Sequence, residues 1–303
     1  MRSHVIQANL LLTLTAAIWG FSFVAQRVGM DHVGPFTFNG VRFWLGGLSL
    51  LPLIWLRGGR YRYTDETSQT GSWMLTYRLP LGGLAAGIVL FSGATFQQVG
   101  IQYTTAGKAG FITGLYVVIV PFLGLFFGQR AGMATVAGAI LAAIGLYLLS
   151  IKGGFTMAFG DLLVLISAFF FAIHMLLIGY LSPQVDPLKL SCLQFLCCGT
   201  ISLGTAVAIE TVTLTGIRMA AIPIVFGGVF SVGVAYTLQT VAQQHAHPAH
   251  AAVILSLESA FAALGGWLFL GEILGGRGWV GCGFMLAGMM ISQIPESGSG
   301  DTG

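Results

Sequence analysis

Apolar residues run along this chain in long blocks, cut by short polar or Gly/Pro punctuation, and ten such blocks can be marked. They cover about 9–29, 36–56, 76–99, 104–127, 131–151, 158–180, 188–210, 216–243, 248–270 and 276–294. A helix rising 1.5 Å per residue needs about twenty apolar residues to cross the roughly 30 Å hydrocarbon core of a bilayer. Each block has about that length, so the pattern predicts transmembrane helices. A membrane barrel would show strands of about ten residues with alternating polarity, and that alternation is missing. The first block, from about Asn9, is too long for the apolar part of a signal peptide and lacks a cleavage pattern, so it reads as a span. Connections are short except for the polar segment from Arg57 to Arg78.

Composition agrees. Only 8% of residues are charged, 55% are hydrophobic and the mean hydropathy is +0.86, against about 25% charged residues in soluble domains. Lipid is therefore the expected solvent and partner. A net charge of +3, scattered over short loops, gives no footprint for nucleic acid. The cysteines at 192, 197, 198 and 282 all fall inside apolar blocks and read as small buried hydrophobes, not as a metal or disulfide framework. With the N-terminus inside, the cytoplasmic loops hold Arg2, Arg57, Arg60, Arg62, Arg78, Arg130 and Lys189. The opposite side then holds Arg27, Lys152, Arg218 and Arg277. The excess predicts both termini in the cytoplasm.

The chain also repeats itself. An offset of 152 matches Trp19 with Phe171, Pro35 with Pro187, Phe43 with Phe195 and Gly47 with Gly199. An offset of 142 matches Thr95, Gln97 and Val99 with Thr237, Gln239 and Val241, and sets Lys108 against His250. One further residue of slip pairs Gly128 with Gly271 and Gln129 with Glu272. The expected fold is an all-α membrane protein of ten transmembrane helices in two five-helix repeats, 1–152 and 153–296, with a disordered Gly/Ser-rich tail over 297–303. Because five spans are an odd number, the second repeat must enter the membrane inverted, a recurrent plan in transporters.

The segment Ala17-Ile-Trp-Gly-Phe-Ser-Phe-Val-Ala-Gln-Arg27, followed by Pro35 and Arg42-Phe43, resembles the first repeat of the drug/metabolite transporter superfamily, EamA type. Leu257-Glu-Ser-Ala-Phe261 and Gly266-Trp-Leu-Phe-Leu-Gly-Glu272 resemble the penultimate helix of its second repeat. The resemblance spans nearly the whole chain and implies ten helices in inverted repeats around a central cavity. In general look it is closest to bacterial amino-acid exporters, those for aromatic amino acids included. Two positions depart from the family: Ser259 stands where proline often follows the glutamate, and Gln129 replaces the first-repeat glutamate.

Polar residues inside the spans supply the candidate site. An ionisable group there costs about 2.5–3.5 kcal/mol on insertion scales, so each needs a partner or a role. Glu258, mid-way along the ninth block, suits a substrate ammonium or a proton, or else a buried hydrogen bond. His174, in the sixth, suits substrate contact or simple packing. Thr95, Gln98 and Gln102 stand at i, i+3, i+7 on one face of the third block, and Tyr236, Gln239 and Gln243 repeat the spacing on the eighth. Such amide stripes should face the protein interior, as a wet cavity wall or as dry helix–helix glue. Trp19 and Tyr116, with Tyr236, offer flat walls to a ligand. Lys108 can snorkel or bind a carboxylate, Arg27 and Arg42 read as interface anchors, and Glu272 as a structural end residue beside Arg277. Glycines spaced as Gly110/Gly114 and Gly124/Gly128 allow close helix contact.

No Walker A motif and no helical HExxH occurs, and Pro248 interrupts His245, His247 and His250, so neither ATP hydrolysis nor an intramembrane metalloenzyme is expected. The expected activity is export of amino acids or related small metabolites by alternating access, without a cofactor. The expected setting is the bacterial inner membrane, with a monomer the simplest assembly and a dimer open. Exchange of sugar phosphates or nucleotide sugars is the alternative, and an intramembrane enzyme the remote one.

Overall fold

A computed structural model describes residues 2–57, 72–128, 131–150, 158–273, 275–292 and 294. Among these residues the chain is entirely helical. The helices are α1 (Arg2–Gly29), α2 (Pro35–Arg57), α3 (Ser72–Ile101), α4 (Ala106–Gly114), α5 (Tyr116–Phe126), α6 (Met133–Ser150), α7 (Phe159–Leu181) and α8 (Pro187–Ile209). Then follow α9 (Leu214–Met219), α10 (Ala221–Val225), a π-helix, π1 (Phe226–Tyr236), α11 (Thr237–Ala242), α12 (Pro248–Leu255), α13 (Glu258–Leu270) and α14 (Gly276–Ser292). Arg60, Arg62, Gln129, Arg130, Lys152 and the 297–303 tail lie outside the described residues.

Local chemistry sets several boundaries. Proline opens α2, α8 and α12, where its missing N–H costs nothing. Asp186 caps α8 by accepting from the amides of Leu188 and Lys189. For α2 the cap comes from far along the chain: the Glu210 carboxylate accepts the Phe36 and Thr37 amides at 2.8 Å and the Thr37 hydroxyl at 2.7 Å. Gly271, at φ 68°, ends α13 in the left-handed conformation that glycine adopts freely.

Seven segments are long and apolar enough to cross a membrane: 5–29, 77–101, 106–126, 159–181, 187–209, 221–242 and 248–270; the shorter apolar helix Met133–Leu148 joins them. Of the ten expected blocks, α2 and α14 fall outside that set. Asn39, Arg42 and Pro52 interrupt the apolar run of α2, and α14 has only 17 residues. Large apolar side chains such as Trp55, Phe126, Phe127 and Ile222 stand fully outward, which suits a lipid-facing surface.

Three expected continuous spans are broken. The fourth breaks at Leu115, the ninth at Ser256–Leu257, and the eighth is wound as a π-helix for 11 residues. Packing follows small residues. Gly40 and Gly47 of α2 lie on Leu203 and Leu196 of α8, and Gly138 and Gly145 of α6 on Gly288 and Gly281 of α14. Gly110 and Gly114 of α4 lie on Ala262 and Ser259 of α13, where the Ser259 hydroxyl donates to the Gly110 carbonyl at 2.6 Å. In all three pairs the rising number meets the falling one, so these helices run antiparallel. The same holds for α3 on α7 (Gly93 at Phe171, Gly100 at Val164) and α1 on π1. By contrast α3 runs parallel to α8, with Gly83 at Leu193 and Gly87 at Cys197. Likewise α2 runs parallel to π1, with Gly46 at Val232 and Ser49 at Gly233.

Candidate functional site

The helix breaks converge on one small cavity of about 40 Å³. Its walls come from α1 (Trp19, Phe23, Gln26), α2 (Arg42), α3 (Gln97), the broken fourth span (Thr113, Tyr116) and α7 (Phe171, His174, Met175). Ser231, Tyr236, Gln239 and Glu258 complete it from π1, α11 and α13. Six of the expected site residues, Trp19, Tyr116, His174, Tyr236, Gln239 and Glu258, therefore meet in one place.

Glu258 is the first residue of α13 and Tyr116 the first of α5, so each follows directly on a break. A carboxylate in the first helical turn sits at the positive end of the helix dipole. The Tyr116 hydroxyl lies beside the Glu258 carboxyl, yet neither Tyr116 Oη nor Glu258 Oε1 closes a hydrogen bond with the protein. Glu258 is only 3% exposed. Arg42, also in the lining, is 4% exposed, its guanidinium 5.3 and 5.1 Å from the Phe38 and Phe43 ring centres, with Nε unpartnered. Among the described residues the sole ion pair is Lys108–Asp161, so Arg42 and Glu258 are both buried without a protein counter-charge at contact distance.

Tyr236, in the same lining, is the hub of an aromatic cluster. Its ring centre lies 4.5 Å from Trp19, 6.2 Å from Phe43, 6.1 Å from His174 and 6.0 Å from Phe195. The winding of π1 leaves carbonyls for α1: Trp19 Nε1 donates to the Ser231 carbonyl at 3.1 Å, and the Thr15 hydroxyl to that of Ala235 at 3.2 Å. This fixes the indole against Tyr236. His174 Nε2 meets Gln194 Oε1 at 2.7 Å, and Gln97 donates to the Thr113 hydroxyl at 3.1 Å. Gln26 Oε1 and Gln239 Oε1 face no protein donor. Buried polar atoms of this kind are exceptional in proteins, and here five lining residues carry one.

The remaining expected residues are placed elsewhere. Gln98 is fully buried and donates to the Gln26 carbonyl at 3.4 Å, and Gln243 donates to the Met175 carbonyl at 3.0 Å. Gln102 sits half-buried in the turn after α3, and Thr95 half-buried on that helix. The residue of α3 that reaches the cavity is the neighbouring Gln97. Arg42, expected as an interface anchor, is a cavity residue. Its proximity to the helix start suggested the bilayer surface, but Glu210 and α8 cover that end. Lys108 binds a carboxylate, that of Asp161. Glu272 accepts the Gly107 amide at 3.4 Å, and Arg277 lies over the Tyr147 ring at 5.3 Å. A second hollow, among Phe21, Val24, Met219, Phe226 and Phe269, has no polar side chain in its lining.

Comparison with known proteins gives the family. The model of the EamA-like transporter family matches the chain twice, over residues 6–151 and 158–293. An uncharacterized transporter of Archaeoglobus fulgidus is 34% identical over 291 residues, covering 95% of this chain and 86% of the relative. The uncharacterized transporter YoaV of Bacillus subtilis is 20% identical over 274 residues, covering 88% and 90%. A solved crystal structure superposes with a TM-score of 0.72 at 18% identity, over 94% of this chain and 96% of the other, and so shares the fold. An all-helical, multi-pass chain matched by the family model in both halves, with a polar cavity at its centre, belongs to the EamA-like transporter family.

Proposed function

We propose that the chain carries zwitterionic amino acids, those with aromatic or large apolar side chains first, out across the bacterial cell membrane. The observation that carries this is Arg42 and Glu258, both buried without an ion-pair partner on one aromatic-lined cavity. A guanidinium suits a carboxylate through its fixed fork of donors. Glu258 and the Tyr116 hydroxyl suit an ammonium, and Trp19, Phe23, Phe171 and Tyr236 give the remaining side chain an apolar bed. Sugar phosphates fit less well, because Arg42 is the sole cation of the lining. No cofactor enters this reading, and one chain supplies the whole cavity, so a monomer suffices.

Alternating access by two inverted five-helix halves, ten spans in all with both termini in the cytoplasm, is the mechanism we infer. The double family match supports two halves. Inversion is supported by the antiparallel run of α2 on α8, α4 on α13 and α6 on α14, which are the second, fourth and fifth spans of each half. Counterflow in proteoliposomes tests the substrate. External radiolabelled phenylalanine should accumulate against an internal phenylalanine load. No counterflow with any amino acid, alongside exchange of a sugar phosphate, would overturn the reading.

A further inference from the structure

Among the polar contacts that join the first half of the chain to the second, two lie at opposite ends of the bundle. Lys108, in the first turn of α4, pairs with Asp161 at the start of α7. Asn9 of α1 accepts from His250 Nε2, at the start of α12, at 2.9 Å. The span of residues 248–270 measures their separation: His250 lies at its beginning, while Gly107, next to Lys108, bonds Glu272 just beyond its end. The contacts also correspond within the repeat. The offset of 152 carries Asn9 onto Asp161, and the offset of 142 carries Lys108 onto His250.

We propose that Lys108–Asp161 and Asn9–His250 are the two gates of the carrier, opened in alternation and both closed in this structure. The proposal rests on the alternating-access reading above. Asp161 is held at the start of its own helix by the Ala158 amide at 3.0 Å, while Thr104, in the turn before α4, donates its hydroxyl to the same carboxylate at 2.9 Å and so belongs to the Lys108 side of the gate. Lys108, 40% exposed, is the member free to leave. One gate is a charged pair and the other joins an amide to an imidazole, so the two are not equal in strength.

Cross-linking with a reporter in the cavity tests this. In a background without the four native cysteines, Ser231→Cys reports access to a membrane-impermeant maleimide from either face. A thiol cross-linker closing Asn9→Cys/His250→Cys should restrict labelling to the face of the Lys108 end. Closing Lys108→Cys/Asp161→Cys should restrict it to the other face. Lys108→Met, which leaves Asp161 capping its helix, should raise labelling from the Lys108 face about two- to fivefold, the modest shift expected of a partly exposed pair. A linked protein that still labels from both faces, or Lys108→Met with no shift, would overturn the gates. Phenylalanine counterflow by the unlinked protein reads the transport proposal separately. If counterflow is present while links leave labelling unchanged, the carrier stands and these gates fall. If counterflow is absent while links restrict labelling, the gates stand for a carrier of another substrate.

Discussion

Arg42 shows how a buried charge can be kept ready for a ligand. It rests on the Phe38 and Phe43 rings at 5.3 and 5.1 Å, with no carboxylate at contact distance among the described residues. Cation–π support is weaker than an ion pair and leaves the fork of donors open. Arg42→Ala should raise the half-saturation for phenylalanine counterflow by about tenfold or more. Arg42→Lys should recover only part of it, since a lysine is a point charge without the planar fork. On the other wall, Glu258→Gln keeps the shape but deletes the charge. It should weaken amino-acid counterflow while leaving the pH profile as in the parent, because this lining offers too few titratable groups for a proton relay. A profile flattened by that change would indicate proton coupling. Six of the fourteen residues lining this candidate cavity were legible in the sequence. Glu258, Tyr116, Trp19 and Tyr236 stood out as costly or aromatic groups inside spans, whereas Gln97 was hidden beside Gln98. A stripe at i, i+3, i+7 shows that one face is polar, but not whether it meets a cavity or a neighbouring helix. Gln98 meets the Gln26 carbonyl of α1.

At the scale of elements, block lengths and proline starts located the helices closely, since bilayer thickness and the chemistry of helix starts both act locally. The breaks at Leu115 and Ser256–Leu257 left no such mark. No proline or glycine stands at any of these three positions, although Gly114 immediately precedes Leu115. Close contact between helices is the more predictable feature. A Cβ at Gly145 would stand 2.5 Å from the Gly281 carbonyl oxygen, so Gly145→Leu drives a side chain into the backbone of α14. It should destabilise the protein by about 1–3 kcal/mol or more, read as a lower melting temperature in detergent. Gly204, with nothing near it, should tolerate alanine without a comparable loss.

For the whole molecule, the proposed inverted repeat pairs α2 with α8, α4 with α13 and α6 with α14, and each of these pairs is packed together. The third span packs on the sixth as the eighth packs on the first, and the third runs parallel to the seventh as the eighth does to the second. Cross-links between α6 and α14, for example at Gly138 and Gly288, should leave phenylalanine counterflow intact if these helices form a static base. Loss of counterflow would place motion there.

This correspondence between the halves fails at one place. Helix α3 is wound regularly throughout, while its counterpart carries the 11 residues of π1. A π-wound stretch holds surplus chain, and a single slip towards ordinary winding would turn everything beyond it, Tyr236 and Gln239 included, without moving the ends of the span. Under the proposed alternation the two halves therefore trade places at unequal cost. On the alternating-access reading proposed above, one orientation of the cavity is favoured at rest, while the direction of net flow stays with the substrate gradient.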